Sequence, residues 1–151
     1  MPQSLSRIYI HLIFHVKTTS PKIREEDIER LHQYVGQLIN TLGCTNVWVG
    51  GVEDHLHVVF ALSKDTTISY VVEELKRNSS RWIKTIAPIY KWFAWQGGYA
   101  AFSVSQSVLD KTKEYVQNQR EHHRRYTFKE EYLRFLQSYG IEYDERYVFR
   151  D

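Results

Sequence analysis

The chain has 151 residues, 42% of them hydrophobic and 25% charged, which suits one globular domain with a real core and little room for a second. Its formal charge of +2 is too small to argue nucleic-acid binding by itself, so that case must rest on where the cations cluster. The single cysteine, Cys44, excludes an internal disulfide and fits a reducing compartment. Residues 1–6 are short and polar, unlike a secretory leader, and no apolar run approaches the roughly 18 residues of a membrane span, so a cytoplasmic location is expected.

Residues 7–16 (RIYIHLIFHV) are rich in β-branched and aromatic side chains, with His11 and His15 as polar interruptions, and predict a strand covered on at least one face. Ser20-Pro21 and the charged stretch after them open a helix. Leu31, Tyr34, Val35, Leu38, Ile39 and Leu42 recur along it at three-to-four spacing, and Gly43 stops it. Residues 44–52 predict a second strand, with Gly50-Gly51 allowing a bend or a close backbone approach near its end. Glu53-Asp54 form a short turn into a third strand, residues 55–62 (HLHVVFAL). Thr66-Thr67 precede a second helix, whose stripe runs through Ile68, Val71, Val72, Leu75, Trp82, Ile83 and Ile86 to a stop at Pro88.

An aromatic segment follows, with Trp92, Trp95 and Tyr99 around Gln96-Gly97-Gly98. Residues 100–105 predict a fourth strand and residues 108–124 one further helix. The domain spans residues 1–151, with a core of about 5–125 and a tail, 126–151, that holds a short helix near 129–139 and receives no assigned role. The order β-α-β-β-α-β predicts a ferredoxin-like α/β sandwich: an antiparallel sheet with both crossover helices on one face, plus an extra helix. Such a fold hosts many activities, so function must come from particular side chains.

His55-Leu56-His57 is the first such feature. Residues two apart on a strand share a face, so the imidazoles project together while Leu56 turns inward. Two neutral imidazoles are a natural ligand pair for a divalent ion. Tyr115 and Gln119 are four apart, one helical turn, so a phenol and an amide oxygen can converge on the same ion. A divalent ion, Mg²⁺ or Mn²⁺, held by His55, His57 and Gln119 would polarise a scissile phosphate for attack by Tyr115. That reading needs the phenol near the imidazoles and both imidazoles within reach of solvent. The bland alternative is two polar strand residues, an ordinary packed tyrosine and a solvated glutamine.

Lys76, Arg77, Arg81 and Lys84 fall at helical spacing on the second helix, and Arg120 and Arg124 mark the end of the third. Flanking the site they would track a phosphate backbone, and Trp92, Trp95 and Tyr99 would stack bases. Solvated cations and a core role for the tryptophans are the competing readings.

Taken together, His55-Leu56-His57 and Tyr115-x-x-x-Gln119, with the segments GGVEDHLHVVF and WQGGYAAFSVS, resemble the His–hydrophobic–His (HUH) motif and tyrosine helix of the single-tyrosine HUH transposases. This family comprises small enzymes of simple insertion sequences and REP-associated relatives. The resemblance implies that Tyr115 is the nucleophile and that His55, His57 and Gln119 hold the metal. It implies a substrate of single-stranded DNA marked by a hairpin, a 5′-phosphotyrosine intermediate, and a homodimer whose active sites are shared between subunits in some members. Two other classes stay open: a domesticated or replication-type nickase, and a non-catalytic ferredoxin-like module that binds nucleic acid.

Overall fold

The computed structural model describes residues 2–151; Met1 lies outside them. Four strands form one antiparallel sheet: β1 (Tyr9–His15), β2 (Thr45–Val52), β3 (His55–Ala61) and β4 (Ala100–Val104), in the order β2-β3-β1-β4. The crossovers are α1 (Glu25–Thr41) and α2 (Ile68–Ile86). This is the ferredoxin-like arrangement that the element order predicts.

Strand alternation divides the sheet's contents. Ile10, Leu12 and Phe14 of β1 join Leu56, Val58 and Phe60 of β3 on the face covered by α1 and α2, where Leu31, Val35, Ile39, Val71 and Leu75 complete the core. The alternate residues, His11, Ile13 and His15 of β1 with His55 and His57 of β3, are left for the other face. They are nevertheless buried, because every residue of β1 and β3 is covered.

The covering comes from the end of the chain. In place of one helix over 108–124, the structure has α3 (Leu109–Gln117) and α4 (Gln119–His122), broken at Asn118, whose φ of −97° and ψ of 25° leave the helical region. Asparagine competes with helix by bonding locally, a tendency that periodicity alone does not register. Next, α5 (Phe128–Ser138) lays Tyr132 and Leu136 against Ile13, Ala100 and Phe102. Thr127 and Glu130 form a reciprocal cap at its start, worth about 1 kcal/mol. The residues set apart as a tail are thus a packed layer of the domain. Among the described residues, no helix is long and apolar enough to cross a membrane.

Candidate active site

The register fixes where the imidazoles stand. His55 and His57 pair with His15 and Ile13 of β1 on one side and with Val52 and Gly50 of β2 on the other. Their rings lie 5.2 Å apart, on the face away from the crossover helices. Asp54 accepts from His55 Nδ1 at 2.7 Å, which turns Nε2 of that ring toward the site. His57 Nδ1 lies 2.8 Å from His11 Nε2, so His11 orients the second ring.

Gly50 brings the Tyr115 helix in. A Cβ built on it would lie 1.8 Å from the carbonyl oxygen of Val116, so only glycine lets α3 settle on β2 at this depth. Gly51 has a φ of +149° and faces the backbone of His55, a second reason for the diglycine. The close approach puts the Tyr115 ring 5.7 Å from His57 within a single chain. Gln119, although beyond the break, accepts from His55 Nε2 at 3.1 Å through Oε1. Its amide nitrogen donates to the Tyr115 carbonyl at 3.2 Å, preserving the one-turn relationship.

At the centre of the cluster is a residue that the sequence reading omits. Glu131 of α5 takes His57 Nε2 at 2.8 Å through Oε1 and accepts the Tyr115 hydroxyl through Oε2. The same carboxylate lies 3.5 Å from His55 Nε2, 3.4 Å from His123 Nε2 and 3.1 Å from His122 Nε2. The signal that could have found it is a charged residue inside an apolar helical stripe: Phe128, Tyr132, Phe135 and Leu136 flank Glu131 on one face. That position costs free energy unless the carboxylate has partners.

Solvent access departs from expectation. Both imidazoles are 0% exposed because α5 lies over them, so the condition that both stand within reach of solvent is not met, and an ion between them would be reached only past Glu131 and Tyr115. The phenol side is open: Tyr115, His122, Glu131 and Arg134 line a cavity of about 380 Å³. A phosphate can therefore approach the Tyr115 hydroxyl and the Glu131 carboxylate without meeting the imidazoles first.

Electrostatics follows from the packing. Burial opposes charge on His55, but hydrogen bonds to Asp54 and Glu131 outweigh it and hold the pKa up at about 9. Burial wins at His57, whose pKa falls to about 4. Glu131 is buried too, yet its bonds from His123, His55 and His57 keep it well below the usual carboxylate range. Tyr115 is pushed above its ordinary value by burial and by the charged Glu131 acceptor. Without a nearby cation the phenol holds its proton.

The cations separate into two groups. Lys76, Arg77, Arg81 and Lys84 lie on α2, across the sheet from the site, because α2 packs the face that His55 and His57 leave; they do not flank it. Lys76 is occupied by the carbonyls of Gln96 and Gly98, at 2.7 and 2.6 Å, and Arg77 by Glu74. Arg120 pairs with Glu25 and Arg124 with Glu121. The aromatics also divide. Trp95 is 7% exposed and donates to Ser79 in the core, whereas Trp92 is 75% exposed. Tyr99 is exposed too.

The donor set suits a divalent ion. Ligand atoms of His55, His57 and Glu131 all lie within 4.8 Å of one another, and the Gln119 amide oxygen joins them. Imidazole nitrogens with carboxylate and amide oxygens match Mn²⁺ or Mg²⁺ better than a thiolate-loving metal, and the only thiol, Cys44, is buried in the other layer.

Comparison with known proteins adds a family. Residues 4–119 match the model described as "Transposase IS200 like". No curated protein matches the chain. Among solved structures, a provisionally assigned transposase from Deinococcus radiodurans R1 aligns at 20% identity and a TM-score of 0.60, over 79% of this chain and 98% of its own. A REP-associated tyrosine transposase bound to a REP hairpin aligns at 13% identity and a TM-score of 0.52, over 77% of this chain and 67% of its own. At these identities the two structures speak for the fold.

Proposed function

The chain belongs to the IS200-like transposase family, and from that premise we propose that it cuts and rejoins single-stranded DNA through a bond between Tyr115 and the 5′-phosphate. One observation carries the reading: the Tyr115 hydroxyl meets, within one chain, a carboxylate that also meets both imidazoles of the His55-Leu56-His57 pair.

His55, His57, Glu131 and Gln119 would hold a divalent ion, Mg²⁺ or Mn²⁺, which when bound neutralises charge developing on the phosphate and lowers the barrier to losing the phenol proton. The chain's own groups do the rest. Glu131 divides its contacts: Oε1 faces the imidazoles and Oε2 accepts the hydrogen bond of the Tyr115 hydroxyl and holds the phenol in place, and the phenol proton leaves to water in the open cavity. The phenolate oxygen attacks phosphorus, the bond to the 3′-oxygen breaks, and that oxygen takes a proton from water. A 5′-phosphotyrosine and a free 3′-hydroxyl result. Attack by a second 3′-hydroxyl reverses the step, so the phosphodiester energy is kept and no nucleotide cofactor is needed. Asp54 and His11 hold the imidazoles in orientation, and Arg134 offers a positive charge beside the open cavity.

The substrate in this reading is single-stranded DNA carrying a hairpin. The hairpin bound by the structurally similar REP-associated transposase supports that choice. Arg81 and Lys84, exposed on α2, and Arg120 and Arg124 are offered as backbone contacts away from the cleavage point. A homodimer with sheets joined edge to edge belongs to the same reading. The test is incubation of the protein with candidate element-end single strands and Mg²⁺. Denaturing electrophoresis should then show a protein–DNA adduct that depends on Tyr115, and its absence across all strands would reject the proposal.

A further inference from the structure

The open cavity at Tyr115 does not end at the phenol. A second cavity of about 600 Å³ adjoins it on the side of α3 and α4, and Tyr115 and His122 stand in the walls of both. The phenol oxygen and His122 Nε2 are 3.2 Å apart, so the pair is a narrow shared boundary. Together the cavities make one groove that passes the phenol. Helical spacing supplies its sides. On α5, Glu131, Arg134 and Ser138 fall three and four apart and line the first cavity. On α3, Lys111 falls one turn before Tyr115 and lines the second.

The cations of this groove are uncommitted. Arg134, Arg125 and Lys111 are exposed and pair with no carboxylate among the described residues, whereas the neighbouring Arg120 and Arg124 pair with Glu25 and Glu121. The Arg134 guanidinium is nonetheless seated. It lies 4.2 Å from the centre of the Tyr126 ring, which stands 5.1 Å from the His122 ring. Tyr126 belongs to the second cavity and Arg134 to the first, so this contact joins the two. Burial and Glu131 raise the Tyr115 pKa and the Arg134 charge acts against them, which puts the guanidinium within electrostatic reach of the phenol. Of the carboxylates in the lining, Glu131 is taken by the imidazoles and Glu121 by Arg124, leaving Glu114 to face the cations. The family match ends at Gln119, so Arg125, Tyr126 and Arg134 are not carried by the shared motif.

We propose that the strand to be cut lies along this groove, with Arg134 gripping the phosphate that Tyr115 attacks and Arg125 with Lys111 holding the phosphate beside it. The inference rests on the strand-cleavage reading above and deepens it. A guanidinium presents parallel N–H donors to phosphate oxygens, and one already seated on a tyrosine ring loses little freedom when it binds. Held at neighbouring phosphates, the strand is fixed at its distance from the phenol while no base is read.

The test uses the full chain and a fluorescein-labelled oligothymidylate, with anisotropy read across a salt series in EDTA so that no strand is cut. Arg134→Gln and Arg125→Gln should each weaken binding by about tenfold. Each should also lower the log–log salt slope by about 0.7, a change that a merely structural role would not produce. A slope left unchanged by both variants overturns the proposal. If circular dichroism shows that either variant loses its fold, Lys111→Gln decides by the same slope. A second measurement assigns the attacked phosphate. In an element-end strand that forms the Tyr115 adduct, a methylphosphonate at the cut bond removes the charge that Arg134 meets. Arg134→Gln should slow adduct formation on the ordinary strand by about tenfold or more and leave the methylphosphonate strand unslowed; equal slowing on both overturns the place given to Arg134. An adduct together with slopes that ignore the variants rejects this inference alone. Lowered slopes without an adduct on any strand reject the cleavage reading, and with it the place of the cut phosphate.

Discussion

His57 Nε2 lies 2.8 Å from Glu131 Oε1 although 74 residues separate them, and the other oxygen of that carboxylate accepts the Tyr115 hydroxyl. The carboxylate thus joins the imidazole pair to the phenol. Glu131→Gln should lower Mn²⁺ affinity on the order of 10- to 100-fold. It should also bring His55 down from its pKa of about 9. Calorimetry and histidine NMR read the two effects, and an unchanged Mn²⁺ affinity would remove Glu131 from the ligand set.

Tyr115→Phe should abolish the covalent DNA adduct while the variant still binds hairpin-bearing single strands. His57→Ala should do the same, through loss of a ligand instead of the nucleophile. Gel-shift and denaturing-gel assays on one preparation separate binding from chemistry. Adduct formation by the phenylalanine variant would exclude Tyr115, and metal-dependent cleavage by the alanine variant would exclude His57.

Two glycines make a matched pair. Gly50→Ala sets a Cβ against the Val116 carbonyl and should cost about 3 kcal/mol, a fall in Tm of about 10 °C, with loss of the adduct as α3 is pushed off β2. Gly36, inside α1, meets nothing closer than 3.9 Å. Gly36→Ala should therefore gain about 0.5–1 kcal/mol from reduced unfolded-chain entropy. Thermal melts of both variants check the contrast, and equal effects would refute the packing argument.

Acid should destabilise the fold over a defined window. Burial pulls His32 down to about 4 from 6.5, so the folded form resists protonation that the unfolded chain accepts. The stability this represents is fully present above pH 6.5 and is lost as pH falls toward 4. His57, also near 4, contributes to the same limb. His32→Leu should flatten the urea midpoint between those pH values in part, and an unaltered slope would show that His32 does not set it.

Binding to single-stranded DNA should weaken as salt rises, with a log–log slope near −0.7 for each phosphate neutralised, by about that proportion in single strands. Fluorescence anisotropy across a salt series measures it. A flat response would mean that Arg81, Lys84, Arg120 and Arg124 do not touch the backbone.

The strands, both crossover helices and their order were legible because β1 and β3 are runs of β-branched and aromatic residues and α2 carries a helical stripe. Gly50-Gly51 announced a close backbone approach, and that approach is with Val116. Two things were hidden. The break at Asn118 turns on one residue's backbone angles against an otherwise helical pattern. Glu131 was unreadable as a site residue because its partners, His55, His57 and Tyr115, come from other elements, and only the packing of α5 across the sheet brings them together. The place of the α2 cations was hidden for a related reason: helical spacing shows that they share a stripe but not which face of the sheet that helix covers.

The order of the chain also bears on how the protein comes into being. A nascent polypeptide that has just passed Gln119 already owns both imidazoles, the phenol and the amide, yet lacks the acid that joins them and the helix that roofs them. Synthesis therefore delivers the finishing piece late, and a product broken off between residues 119 and 131 would carry the recognisable motif without its carboxylate or its roof.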